Sequence, residues 1–565
     1  MENDGVSSAA STHNPAIICR ECHFDFAASQ NRIQGPPAGI YSQLSRRNAC
    51  PSSQEEALVK GGMAEAKAQM SLVGDKITRL QAKIAALEAE KLRIGGIVEE
   101  YRSILRPVLR LPPELLSRIF SLASEKPATY DSRRPSSSLN PSKPPWVLSQ
   151  VCQSWRALAL DTPSLWSSVS FNFIPNRGST LRAQSHRLQL QLQRSANHPL
   201  NITATTSTSN HTAIDRLLFP LCSSSPTWRH LSIELNDELF SPGLAPISGR
   251  LQALESLHLH FITSVRQDLG WFQFAPRLTR LSFSGDHRLG SSEDRHPRPN
   301  HTKLPFHQIT HYSWQDEEGD ISGIARGNLF AFSVRTLPLL LNVQSCRLII
   351  HPDSIRNYIH NRNKGSLMAT LQHLNELEVR VIGGGTGTHE VLSYITAPSL
   401  RRLTLSSSGP DQSALTDLFT NPETLTYLSI SMIEMPPHDF RTVLARLTTL
   451  TDLSFGVVGG ITDDYLSLFL SAQSQGSSHL PIVPNLRNLS LLATPNIESS
   501  YSEDILLGML EARMGPEPGV GSAASQSYSR LFSVNLDKPV EGEAASQHLD
   551  ELRVEGLRVG ISGEE

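Results

Sequence analysis

A spaced apolar triplet, apolar-x-x-apolar-x-apolar, recurs from residue 228 onward and leaves few folds open to the chain. The strongest copies are Trp228-Leu231-Ile233, Leu254-Leu257-Leu259, Leu278-Leu281-Phe283, Leu374-Leu377-Val379, Leu400-Leu403-Leu405, Leu425-Leu428-Ile430, Leu450-Leu453-Phe455 and Leu486-Leu489-Leu491. Weaker copies are Ile309-Tyr312-Trp314, Val343-Cys346-Leu348 and Leu531-Val534-Leu536. Middle positions 231, 257 and 281, and again 377, 403, 428 and 453, follow one another at 24 to 26 residues. Alternating residues of a short strand share one face, and no single unit of this length can bury that face alone, so the pattern predicts stacked strands that cover one another. The linkers predict return helices at 414–419, 440–447 and 464–470, and residues 548–561 predict a short helix, a stop at Gly556 and a last strand. Residues 284–303 and 515–528 have no apolar period and read as exposed insertions.

A second pattern lies upstream, in LRLPPELLSRIFSLA (109–123) and PWVLSQVCQSWRALALDTPSLWSSV (145–169). In the first block Pro112-Pro113 sets the backbone for a helix start, Glu114 suits the positive first turn, and Leu115, Leu116, Ile119, Phe120 and Leu122 recur at helical spacing. The second puts Val147, Leu148, Val151, Cys152, Trp155, Leu158 and Leu160 on another amphipathic helix. Asp161-Thr162-Pro163 then opens a short third turn that carries Leu165 and Trp166.

These blocks resemble the F-box, and the proline-rich insert at 126–144 is similar to that of F-box proteins abundant in mushroom-forming fungi. The resemblance covers about sixty residues. It implies three helices that dock on the Skp-type adaptor of a Skp, cullin, F-box (SCF-type) ubiquitin ligase and, through the adaptor, on a cullin. By motif, Leu111, Pro112, Glu114, Leu115 and Ile119 would face the adaptor. Val151, Cys152 and Trp155 would span core and interface, and Leu165-Trp166 would close the helical core. The period of the C-terminal triplets is similar to that of leucine-rich repeats.

Upstream again, Met63, Ala66, Met70, Val73, Ile77, Leu80, Ile84, Leu87 and Ile94 fall at alternating steps of three and four, with Lys91 as the break in the seam. This is a heptad pattern, which fits a coiled coil and a homodimer through it, or a single long solvated helix weakened at Gly74. Gly95-Gly96 is expected to end or bend it. The expected fold class is therefore α followed by α/β: a disordered N-terminal tail (1–62), a coiled-coil helix (63–105), a three-helix F-box domain (106–170), a bridge (171–226) and a leucine-rich-repeat-like solenoid (227–565).

A balance of 51 basic against 54 acidic residues gives no electrostatic footprint for nucleic acid or an anionic membrane. No apolar run reaches bilayer length, no signal peptide is legible, and the six cysteines are sparse, so a cytoplasmic or nuclear protein is expected. Cys19, Cys22 and His23 have metal-ligand spacing, but only Cys50 or His13 could complete four ligands, and no metal or cofactor is expected. Histidines 287, 296 and 301 fit a solvated loop, and Gly383-Gly384-Gly385 lacks the lysine of a phosphate loop. No hydrolase, metalloprotease or phosphate-loop motif is present, so the expected function is non-catalytic. The resemblance favours a substrate receptor of a ubiquitin ligase; the alternative is an interaction scaffold outside any ligase.

For a target, the residues between the apolar positions of each triplet form columns on the face the core does not use. The central column reads Ser232, His258, Ser282, Ser313, Arg347, Glu378, Thr404, Ser429, Ser454 and Ser490, mostly small and uncharged. Binding energy usually comes from arginine and aromatic anchors, which makes Arg280, Arg401, Arg402, Tyr427 and Arg487 the candidates, densest from Arg401 to Tyr427.

Overall fold

The computed structural model describes residues 35–36, 38–47, 50–105, 107–124, 137–173, 178–206, 211–235, 243–261, 269–285, 303–316, 327–352, 355, 368–382, 387–408, 415, 418, 422–470, 482–493, 497–514 and 529–561. The chain divides into two compact units, 1–112 and 113–565. The Cys19, Cys22 and His23 cluster, and the three histidines of the loop beyond Gly285, lie outside the described residues.

In the first unit a helix Ala38–Arg47 precedes a helix of 52 residues, Ser53–Ile104. The long helix opens on a capping box: Ser52 Oγ accepts from the Glu55 amide, and the Glu55 carboxylate accepts from the Ser52 amide at 2.9 Å. That cap starts the helix ten residues ahead of the expected position 63. The helix also continues through Gly95-Gly96, where ion pairs Glu90–Arg93 at 2.7 Å and Glu99–Arg102 at 2.6 Å brace the turns on either side. At about 1.5 Å per residue it is roughly 78 Å long, and none of its residues is buried. Gly61, Gly62, Gly74, Gly95 and Gly96 lie within it, each costing about 1 kcal/mol relative to alanine. Burial among the described residues does not hold such a helix.

The second unit begins with a helix Pro113–Ser124, whose Leu116 and Phe120, one turn apart, are buried. The amphipathic helix expected over 147–160 is two helices, Leu148–Val151 and Gln153–Leu160, broken at Cys152. Cys152 is extended (φ −155°, ψ 174°), and its Sγ accepts from the Trp155 amide at 3.5 Å, so it is the N-cap of the second piece rather than a member of one continuous helix. A 3-10 turn, Pro163–Trp166, follows and buries Leu165 and Trp166.

Strands then stack in one parallel sheet of 14, an arrangement compatible with a solenoid. They are β1 Ser168–Phe173, β2 Leu200–Thr206, β3 Trp228–Leu235, β4 Ser256–Phe261, β5 Arg280–Gly285, β6 His311–Asp316, β7 Ser345–Ile350, β9 Glu376–Val381, β11 Arg402–Ser408, β12 Tyr427–Ile433, β13 Asp452–Val457, β14 Asn488–Leu491, β15 Ser533–Leu536 and β16 Arg558–Ile561. Two-residue strands β8 (Ala369–Thr370) and β10 (Ile395–Thr396) pair separately. The middle position of each triplet lies opposite the middle position of the next: Leu231, Leu257, Leu281, Tyr312, Cys346, Leu377, Leu403, Leu428, Leu453, Leu489 and Val534. All of them are buried.

The sheet starts earlier than expected. Residues 171–226, read as a bridge, contain the end of β1, all of β2 and two helices, Gly178–Arg194 and His211–Ser223. β2 pairs with β1 and, past a shift after Leu200, with β3, and its buried Leu200, Ile202 and Ala204 alternate with Asn201, Thr203 and Thr205. The polar stretch 201–206 is thus strand, because β-branched threonine suits the pleat.

Return segments cover the buried face. Helices Pro437–Ala445 and Asp463–Ser467 bury Phe440, Val443, Leu444, Tyr465 and Leu466, and Phe455 of β13 meets the Phe440 ring at 5.6 Å. Gly456 is hemmed in by backbone: an added Cβ would lie 2.6 Å from the Ser431 carbonyl and 2.9 Å from that of Leu492. Gly508, inside the helix Glu503–Met514, would gain a Cβ with nothing within 4 Å. Gly456→Ala should therefore lower the thermal midpoint, whereas Gly508→Ala should raise stability by about 0.5–1 kcal/mol, both read by denaturant unfolding of the full chain. Equal effects of the two would contradict this packing.

Candidate adaptor-docking and target-holding surfaces

The helix Pro113–Ser124 carries two apolar rows. Leu116 and Phe120 point into the core, where the Phe120 and Trp155 rings lie 4.8 Å apart. Leu115, Ile119 and Leu122, at steps of four and three, remain 53%, 45% and 53% exposed. Val147, Val151 and Leu160 are further exposed aliphatics on the following helices. The fold does not need these side chains for its own core.

Of the residues the motif assigns to the adaptor, Pro112, Glu114, Leu115, Ile119 and Val151 are exposed, and Leu111, Cys152 and Trp155 are half-buried. Leu115 and Ile119 share one helix face; Trp155 belongs mostly to the packing against Phe120. The Cys152 thiol is held below its usual pKa, first by the hydrogen bond with the Ser154 hydroxyl and then by the Trp155 amide.

A polar hub that the motif did not indicate joins the helices to the sheet. Gln191, fully buried, donates to the Trp166 carbonyl at 3.2 Å and the Ser168 carbonyl at 2.9 Å, and accepts from Ser138 Oγ at 3.0 Å. Ser138 Oγ in turn accepts from the Ser170 amide at 2.9 Å. The Arg194 guanidinium lies 5.0 Å from the Trp146 ring and 4.5 Å from the Trp166 ring, which themselves meet edge to face at 5.0 Å. Burial lowers the Arg194 pKa from its usual value, with Arg156 adding repulsion. Trp146 and Trp166 satisfy their indole N–H groups on the Ser138 and Ala159 carbonyls, each at 2.7 Å. The signal available in the sequence was Trp166-Val169-Phe171, which has the triplet spacing itself.

On the sheet's open face the register keeps the central column in line from Ser232 to Ser490. Arg402 and Tyr427 are register partners, and the guanidinium stacks 4.0 Å above the ring. Arg280 lies in the same column but four strands away, about 19 Å. Arg401 and Arg487 precede their strands, and their carbonyls accept pairs of amides from the next unit: Thr426 and Tyr427 for Arg401, Phe532 and Ser533 for Arg487. Within the expected patch from Arg401 to Tyr427, Arg402 and Tyr427 are in direct contact.

Acidic residues beside that pair were not singled out from the sequence. Glu378 meets Arg347 at 3.0 Å and Arg380 at 3.7 Å, and Glu376 meets Arg402 at 3.9 Å, so neighbouring strands interleave both signs. Further along, Ser284 Oγ lies 2.8 Å from His260 Nδ1 and 3.1 Å from His258 Nε2. Burial, reinforced by His260, pulls the His258 pKa down from 6.5 to about 4.

A family model described as F-box-like matches residues 108–172, so the chain contains an F-box-like domain there. No curated protein matches the chain. Among the described residues no helix is long and apolar enough to cross a membrane.

Because the folded state holds His258 neutral while the unfolded chain protonates it near pH 6.5, the native state loses stability as pH falls from about 6.5 toward 4. His258→Gln should flatten the pH dependence of the thermal midpoint in that window. An unchanged slope in the variant would remove His258 from the account.

Proposed function

We propose that this chain is the substrate-recognition subunit of an SCF-type ubiquitin ligase. The F-box-like domain docks on a Skp-type adaptor, which links it to a cullin, and leucine-rich repeats hold a target protein. The observation that carries the reading is the division of labour on the helix Pro113–Ser124: inside the F-box-like match, Leu116 and Phe120 serve the core while Leu115, Ile119 and Leu122 stay exposed. Exposed aliphatics in a row gain about 25 cal/mol per Å² when a partner covers them. No residue of the chain does chemistry on this reading. It acts by raising the effective concentration of the target's lysines near the transferred ubiquitin.

Leu115→Asp with Ile119→Asp should reduce co-precipitation of the adaptor at least tenfold while leaving the unfolding of the array unchanged, because both side chains are exposed. Trp155→Ala should lower adaptor capture and stability together, since it removes the ring packed on Phe120. Full adaptor recovery by the Asp pair would overturn the reading; adaptor without cullin would instead indicate a scaffold outside a ligase.

For the target, Arg402 with Tyr427 is the best-formed anchor, a cation already stacked on an aromatic face and therefore ordered before binding. Arg402→Ala with Tyr427→Ala should lower recovery of targets stabilised by proteasome inhibition, with adaptor capture intact. Undiminished recovery would move the target site off this pair.

A further inference from the structure

The long helix leaves an apolar seam without cover. Read in heptads, position a holds Met63, Met70, Ile77, Ile84, Lys91, Val98 and Leu105, and position d holds Ala66, Val73, Leu80, Leu87, Ile94 and Tyr101. The seam therefore does not stop at Ile94: because the helix runs on through Gly95-Gly96, Val98 and Tyr101 continue it, and Leu105 follows at its C-cap. None of these residues is buried within the chain.

We propose that residues 63–105 pair with the same residues of a second copy as a parallel, in-register, two-stranded coiled coil. Three features of the seam select this occupant. First, the central layers place β-branched Ile77 and Ile84 at a and Leu80 and Leu87 at d, the combination that favours two parallel strands. Second, the one charged core position is Lys91 at a. A single such residue fixes register, since any slip sets an ammonium against an apolar layer of the other helix. In register, Lys91 of each copy lies beside Glu90, at position g, of the other. Third, the flanking charges match across copies: Lys83 at g faces Glu88 at the following e of the second helix, twice per dimer by symmetry. An antiparallel pair brings g against g and e against e, and loses this match.

Three glycines within the paired segment, Gly74, Gly95 and Gly96, lower its intrinsic helicity, which fits a helix completed by its partner. The pairing stands apart from the ligase reading and holds whether or not the F-box-like domain engages an adaptor. Its consequence is two target-holding faces per assembly, so that a target with two sites is held by avidity rather than by one weak contact.

The test uses the full chain. Sedimentation equilibrium at micromolar concentration should give twice the chain mass of 62.2 kDa, and Ile77→Asp with Ile84→Asp should return it to the single mass. A single-chain mass for the unmodified protein overturns the proposal, as does a dimer that survives the two aspartates. Orientation is read by charge exchange at exposed positions, which do not decide folding. Lys83→Glu alone should weaken association about tenfold, and adding Glu88→Lys should restore it to within about threefold. Failure of the second change to restore association overturns the parallel register.

Discussion

Everything in the second unit depends on apolar side chains of one strand finding the same positions of the next strand in register. Leu403 illustrates this: it lies between Leu377 and Leu428 in the sheet and is fully buried. A parallel strand has no hairpin to fix its register, so the side chains must do so, and a slip of one residue would turn the whole buried row to water. A second ladder assists at the strand entries. The carbonyls of Asn375, Arg401, Thr426 and Thr451 each accept two amides from the following unit. The backbone there is fully engaged, which leaves the side chains of the open face free to vary in chemistry.

The same constraint explains how the helical module joins the array. A strand at the start of such a sheet has one unpaired edge and one uncovered apolar face, and both need protection. Val169 and Phe171 of β1 are buried along with Trp166 immediately before them, and Gln191 ties the turn that ends the module to the first return helix. A glutamine is affordable in such a place only with its amide and carbonyl both matched, as they are here by Trp166, Ser168 and Ser138. Helices and sheet are therefore joined by buried hydrogen bonds.

Legibility in the sequence followed the strength of the apolar signal. The strands of the large sheet from β3 to β15 were visible because their triplets place large side chains at two or three fixed positions, and even the weak copies Tyr312-Trp314 and Val534-Leu536 fall in strands, whereas the two-residue β8 and β10 carry no triplet. β1 escaped because Trp166 had already been assigned to the helical module, and β2 because its inward residues Leu200, Ile202 and Ala204 alternate with polar ones and end on a small side chain. The break at Cys152 was hidden for a different reason: amphipathic spacing runs across it, and a thiol cap leaves no mark in hydropathy. The exposure of Leu115 and Ile119 was legible only through motif, and that of Leu122 not at all, since periodicity alone assigns every aliphatic on a helix to the core.

The open face shows why target candidates are harder to read than core. From sequence, arginines and tyrosine stand out individually, yet their value depends on which neighbours the register supplies. Arg347 and Arg402 each face a glutamate on an adjacent strand, and half-exposed pairs of this kind contribute little to stability. Their effect is on specificity. A partner that displaces Glu376 from Arg402 must offer its own acceptor there, and one that does not leaves a cation uncompensated beneath it. Across β7 to β11 the open face thus interleaves both signs, and the small serines at 429, 454 and 490 leave the sheet beyond them open to close approach.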